Sequence, residues 1–189
     1  MDEILDVTLR VAEALDELDV PYVVGGSLAS SFHGIPRATI DADIVAALRP
    51  QHHPGFVDAL RDAFYLDPDT IRRAIDRRTS FNVVHLATMF KVDVFVAPDD
   101  DAAGRELERG RSFVVTSDPE RRLRMASAED TIAHKLYWYA LGDEIADRQW
   151  SDAIGVLKVA GDQLDHDYLR RRATLLGVRD LLAQALKDL

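Results

Sequence analysis

Residues 23–45 read VVGGSLASSFHGIPRATIDADIV, and the fold turns on how this stretch is interpreted. An apolar run ends in a turn of small residues, Gly25, Gly26 and Ser27. About fifteen residues later Asp41 and Asp43 sit one residue apart inside a second apolar run. Side chains at i and i+2 of a strand share a face, so the two carboxylates stand side by side. A fold accepts that arrangement mainly when a cation lies between them.

Working outward, residues 2–18 repeat Ile4, Val7, Val11, Ala14/Leu15 and Leu18 at helical spacing. Pro21 stops that helix, and Tyr22 to Val24 is a short strand ending at the glycines. Ser27 is positioned to cap a helix over Leu28 to His33, which Gly34 closes. Thr39 to Leu48 alternates as a strand. Ile40, Ala42 and Ile44 face one way, and Thr39, Asp41, Asp43 and Val45 the other. A helix over Gly55 to Phe64 and another from Asp67 to Arg77 follow. Two strands, Phe81 to Leu86 and Phe90 to Ala97, flank a turn at Ala87–Met89. The second holds Asp93 between Val92 and Val94. Asp99–Asp101 begin a helix to about Glu108, and a hairpin over Arg111 to Met125 turns at Asp118-Pro119.

From Ser127 onward no strand pattern remains. Helices are expected from a Ser127 cap to Leu141, from Asp147 to Ala160, from Asp165 to Leu176 and from Arg179 to Leu186, the last two broken at Gly177. The fold class is therefore α+β, a mixed sheet with flanking helices (1–126) followed by a C-terminal helical part (127–189). No linker separates the two, and they are expected to share an interface.

Composition sets the outer bounds. The 189 residues are 47% hydrophobic, enough for an ordinary core. The absence of cysteine excludes disulfides and thiolate metal sites. The acidic start and the lack of a long apolar run point to a cytoplasmic protein with no membrane partner. A net charge of −10 argues against indiscriminate phosphate-backbone binding, although Arg121–Arg124 and Arg170–Arg172 leave room for a local basic groove.

Three elements can converge: the Gly25-Gly26-Ser27 turn, the Asp41/Asp43 pair and Asp93. If their strands are neighbours at ~4.8 Å spacing, the three carboxylates meet. Three oxygen donors suit Mg²⁺ or Mn²⁺. Amides at a glycine turn opening a helix can hold a phosphate. Together these parts suit in-line attack on a nucleoside triphosphate, with metal ions activating the incoming hydroxyl and holding the leaving pyrophosphate.

Hydrophobic-Gly-Gly-Ser, then Asp-x-Asp, then hydrophobic-Asp-hydrophobic resembles the DNA polymerase β-like nucleotidyltransferase superfamily. The fuller pattern, GGSLASSFHG with R-x-T-x-D-x-D, followed by SAEDTIAHKL and DRQWSD, is similar to the nucleotidyltransferase-fold toxins related to AbiEii/AbiGii and MenT, over roughly residues 20–160. The resemblance implies a nucleotidyltransferase fold. It also implies that Asp41, Asp43 and Asp93 are metal ligands and catalytic residues, with Asp93 taking the hydroxyl proton. Gly25, Gly26, Ser27, Arg37 and Lys135 would bind the nucleotide, and Asp152 is the match to a later acidic residue. It implies an NTP such as ATP, an acceptor hydroxyl on tRNA or another RNA, and an antitoxin partner. A small-molecule antibiotic is the alternative acceptor, and a non-catalytic nucleotide- or partner-binding subunit the alternative role.

Simpler readings stand beside these. Arg148 and Asp152 at i, i+4 read as a surface ion pair; Arg37 reads equally as the partner of a surface acid, and Lys135 as a solvated charge on its helix. His33 reads as a helix-end residue, and His52-His53 lacks the partner spacing of a metal site. Tyr137, Trp138 and Tyr139 read as core or interface aromatics.

Overall fold

The first helix, α1 (Asp2–Asp16), buries the face that its apolar repeat marks out, with Ile4, Val7, Val11, Ala14 and Leu15 all excluded from solvent. The computed structural model describes residues 2–142 and 147–189. These residues divide into two compact units, Met1–Gly25 with Ala38–Met125, and Gly26–Arg37 with Ala126–Leu189. Among the described residues no helix is long and apolar enough to cross a membrane.

The first unit is built on a seven-stranded mixed sheet. Its strands are β1 (Tyr22–Val24), β2 (Asp41–Ala46), β3 (Phe64–Tyr65), β4 (Ser80–His85), β5 (Lys91–Val96), β6 (Arg111–Ser117) and β7 (Glu120–Met125). Their order across the sheet is β3-β4-β5-β2-β1-β7-β6. At its centre β2 runs parallel to β5, with Asp41 opposite Lys91, Asp43 opposite Asp93 and Val45 opposite Phe95. β1 pairs antiparallel with β2, and Val24 meets Met125 of β7 in a parallel pair. Every second residue of β2 and β5 is buried (Ala42, Ile44, Ala46; Val92, Val94, Val96), so both strands present their carboxylates on the opposite, less buried face.

Helices α3 (His53–Leu60), α4 (Pro68–Arg77) and α5 (Asp101–Arg109) complete this unit. Asp67 caps α4 by accepting from the Asp69 N–H, and Asp100 caps α5 by accepting from the Ala103 N–H.

Three local expectations are corrected. The strand over residues 39–48 is shorter, and Ile40 lies outside it, 77% exposed. Pairing with β5 begins only at Asp41, so nothing holds residue 40 in the sheet. The helix expected over residues 55–64 begins earlier, at His53, and ends at Leu60. Phe64 belongs instead to β3, paired with His85, because a sheet edge was open to it. His52 and His53 serve local structure: the Arg49 N–H donates to His52 Nδ1, and His53 Nε2 sits 2.8 Å from the Pro68 carbonyl.

The second unit is helical. α2 (Gly26–His33) joins α6 (Ala128–Leu141), α7 (Asp147–Ala160), α8 (His166–Leu175) and α9 (Arg179–Ala185). Its core includes Ile132, Leu136, Val156, Leu157, Leu169 and Leu182. Ser127 caps α6, accepting from the Asp130 N–H and donating its hydroxyl proton to Asp130 Oδ2 at 2.6 Å. Asp130 is buried with Arg172, whose Nε donates to it at 2.9 Å, and Tyr168 donates to the same oxygen. This network ties α6 to α8. Gly34 lets the end of α2 approach α7 closely: a Cβ there would stand 2.7 Å from the Val156 amide nitrogen.

Candidate active site

The carboxylate set belongs to the first unit. Asp43 and Asp93 are direct partners on adjacent parallel strands, and Asp41 follows on the same face of β2. Thr39 fixes the outer carboxylate, its hydroxyl donating to Asp41 Oδ1 at 2.8 Å. The glycine turn is tied to the same strand, because the Gly25 N–H donates to the Asp43 carbonyl at 2.8 Å. No atom lies within 4 Å of where a Gly25 Cβ would stand, so the backbone there is open to approach. Alternation placed Asp41 and Asp43 on one face, and the pairing of β2 with β5, on which the convergence of all three depended, adds Asp93 to it.

It missed Lys91. This side chain lies two residues before Asp93 on the same strand face, and its Nζ stands 2.7 Å from Asp93 Oδ2. The hydrogen bond to Asp93, with the charges of Asp93, Asp41 and Asp43, holds the Lys91 ammonium above its ordinary pKa against the effect of burial. The signal was present in the sequence as a lysine at i−2 from an acid in a strand. Asn82 of β4 is the partner of Asp93 on its other side.

As they stand, the described residues include no group of three or more His, Cys, Asp or Glu side chains arranged to hold a metal ion. Asp93 is instead paired with the Lys91 ammonium. In chemistry, though not in the arrangement seen here, the three carboxylates are the donor type that Mg²⁺ or Mn²⁺ takes. They offer three hard oxygen donors from two rigid paired strands, and Mg²⁺ favours carboxylate and phosphate oxygens over nitrogen or sulfur.

The second set lies within the helical unit and gathers Ser27 and Arg37 from one segment with Lys135 and Asp152 from two helices. Arg37 reaches Asp152 through two parallel bonds, Nε to Oδ1 and Nη2 to Oδ2, each 2.9 Å. Arg37 Nη2 also donates to Ser27 Oγ at 2.6 Å. Lys135 Nζ stands 2.8 Å from Asp152 Oδ2. Ser31 fixes the arginine from behind, its Oγ accepting from the Arg37 N–H at 3.2 Å. The side chains of Lys135 and Asp152 are 4% and 7% exposed, whereas Arg37 retains 32%. Burial pushes the Asp152 carboxyl upward, but hydrogen bonds and charges from Arg37 and Lys135 outweigh it and hold the group below the usual carboxylate range. The arrangement is two cations clamped by one carboxylate, with the arginine facing solvent. Such a pair binds a phosphate well once the guanidinium is oriented.

Two expectations about this set change. Asp152 is engaged by Arg37 and Lys135, so a local pairing with Arg148 does not account for it; three elements outcompete one helical turn. Ser27 is not the cap of α2. The helix begins at Gly26, whose φ of +54° suits glycine, and the serine lies inside the first turn with its hydroxyl facing Arg37. His33 ends α2 as expected, with Nε2 2.8 Å from the Ala126 carbonyl. Trp138 is 46% exposed, so it is not a core residue; Tyr139 packs against Trp150 with ring centroids 5.1 Å apart and the rings tilted by 43°.

No protein-family model and no curated protein matches the chain. Solved structures do. The antibiotic-resistance factor ANT(2'')-Ia superposes over 100% of this chain and 99% of its own, with a TM-score of 0.58 at 17% identity. A nucleotidyltransferase-like antigenic protein from Paracoccidioides brasiliensis gives 0.58 at 17% identity, over 99% of this chain and 93% of that one. The lincosamide adenylyltransferase LnuA gives 0.50 at 12% identity, over 84% and 98%. The chain has the nucleotidyltransferase fold.

Proposed function

We propose that the protein is a metal-dependent nucleotidyltransferase that moves a nucleoside monophosphate from an NTP to a hydroxyl group on a small molecule. The observation that carries this reading is the register of the central sheet. It sets Asp43 directly beside Asp93 with Asp41 on the same face. Three like charges on one face are unfavourable unless positive charge stands among them, and one ammonium at Asp93 offsets only part of that repulsion.

Asp41, Asp43 and Asp93 would hold Mg²⁺ or Mn²⁺. The bound metal supplies charge neutralisation on the phosphates and acidifies the attacking hydroxyl. Asp93 takes the proton of that hydroxyl. The acceptor oxygen forms its bond to the α-phosphorus as the bond to the β-phosphate bridging oxygen breaks, and pyrophosphate leaves with the electron pair. Thr39 keeps the Asp41 carboxylate in its orientation. Amides of the Gly25-Gly26-Ser27 turn, with Arg37 and Lys135, bind the triphosphate, and Asp152 orients both cations. The meeting of Lys135 with Asp152 supports this assignment, because the two come from separate motifs of the sequence resemblance.

The small-molecule acceptor is favoured by likeness along the full chain to ANT(2'')-Ia, a structure of which contains adenylyl-2''-tobramycin, and by LnuA, solved with lincomycin. The net charge of −10 weighs in the same direction, since RNA acceptors call for basic surfaces. The toxin reading, with a tRNA acceptor and an antitoxin partner, rests on the sequence resemblance alone.

The test is to incubate the protein with each labelled NTP and Mg²⁺ or Mn²⁺, in parallel with an aminoglycoside, a lincosamide and total tRNA. The same series is run with Asp43→Asn. Label on a small molecule, lost in the variant, is the expected result. Label on tRNA would shift the reading to the toxin class. NTP binding without transfer to any acceptor would favour a non-catalytic subunit.

A further inference from the structure

We propose that Lys91 is a built-in counter-ion of the carboxylate set, occupying the position of a metal's charge in the metal-free protein, so that a divalent cation binds only by displacing it. This rests on the carboxylate set being the metal site of the reading above. The observations are geometric. On parallel strands, Lys91 is the direct partner of Asp41, just as Asp43 is of Asp93. All four side chains therefore share one face of two neighbouring strands. The ammonium makes a 2.7 Å contact with Asp93 Oδ2.

Two consequences follow from the chemistry. The ammonium relieves part of the repulsion among the three carboxylates when no metal is bound. It also occupies a lone pair on Asp93 that a metal would need. The lysine is 42% exposed and the Asp93 side chain 22%, so the ammonium can move into water when displaced, and the barrier to metal entry is one of competition and not of burial. A bare divalent ion must meet the full cost of breaking that pair. A cation arriving on a triphosphate brings further ligands to offset it. The fold thereby favours the metal–nucleotide complex over the free ion.

The experiment titrates the nucleotide-free protein with Mn²⁺, following free Mn²⁺ by electron paramagnetic resonance, for the wild type, Lys91→Met, Lys91→Gln and Lys91→Arg. Both neutral variants are expected to bind Mn²⁺ about tenfold more tightly. The arginine variant should stay close to wild type, because it keeps the charge. Adding Asp43→Asn to Lys91→Met should abolish the gain. Equal or weaker Mn²⁺ binding by both neutral variants overturns the counter-ion role while leaving the carboxylates as a metal site. Absence of Mn²⁺ binding in every form overturns both. Tighter binding in the neutral variants without NMP transfer in the labelling assay sustains the counter-ion role and overturns only the catalytic reading.

Discussion

Replacing Asp152 with asparagine removes the charge that holds Arg37 and Lys135 together, and its cost can be worked from their burial. The Lys135 side chain is 4% exposed and loses its carboxylate partner. Removing one member of a buried pair costs about 3–5 kcal/mol, because the remaining charge is stranded. Arg37, at 32% exposed, is re-solvated and adds little. Since asparagine still accepts one hydrogen bond, the expected loss is about 3 kcal/mol. Lys135→Met leaves Asp152 paired with Arg37 and should cost about 1 kcal/mol. The double variant should then fall short of the sum by about 2 kcal/mol, the coupling of a contacting pair. Urea denaturation followed by tryptophan emission suits the measurement, because Trp138 lies in α6 and Trp150 in α7, in the same unit as the cluster. The pH dependence has a definite sign. The Asp152 carboxyl is depressed in the folded state. Its stabilisation is therefore complete above the unfolded value, about 3.9, and is lost as pH falls through the lower folded value. The gap between wild type and Asp152→Asn should be constant from neutral pH down to about 5 and close below about 4. A variant within about 0.5 kcal/mol of wild type at neutral pH, or single effects that simply add, would refute the reasoning.

Two further outcomes are expected. Gly34→Ala places a Cβ 2.7 Å from the Val156 nitrogen and 2.8 Å from the Gly155 carbonyl carbon, both backbone atoms that cannot step aside. It should destabilise the helical unit by about 2 kcal/mol in the same urea assay. Thr39→Val keeps the shape but removes the hydroxyl bonded to Asp41 Oδ1. NMP transfer should fall about tenfold with the melting temperature unchanged, the loss expected of one hydrogen bond to a charged group.

What the sequence made legible follows a physical divide. Alternation over Asp41 to Ala46 and Lys91 to Val96 identified the buried face of both strands, because burial in a sheet repeats every two residues regardless of partner. Ile40 continues that alternation and yet lies outside the strand, since only the reach of β5 decides where β2 can pair. Phe64 failed in the same way: a helical pattern ran up to it, but the edge of β4 claimed it. Asp152 shows the matching limit for charges. Its nearest basic residue by helical spacing is Arg148, while the groups that bind it come from positions 37 and 135, which no local spacing reveals.

Lys91 marks a different limit, because its position was local and legible while its role was not. An alternating strand predicts that residue 91 shares a face with residue 93, but not that an ammonium turns onto the carboxylate instead of into water. That choice depends on Asp41 and Asp43 arriving from another strand and raising the negative potential on the face. The same potential is what would draw a divalent cation to this face under the proposed function. The strand pairing that gives Lys91 its role is therefore the pairing that would give the carboxylates theirs, and neither is carried by the local pattern of a single strand.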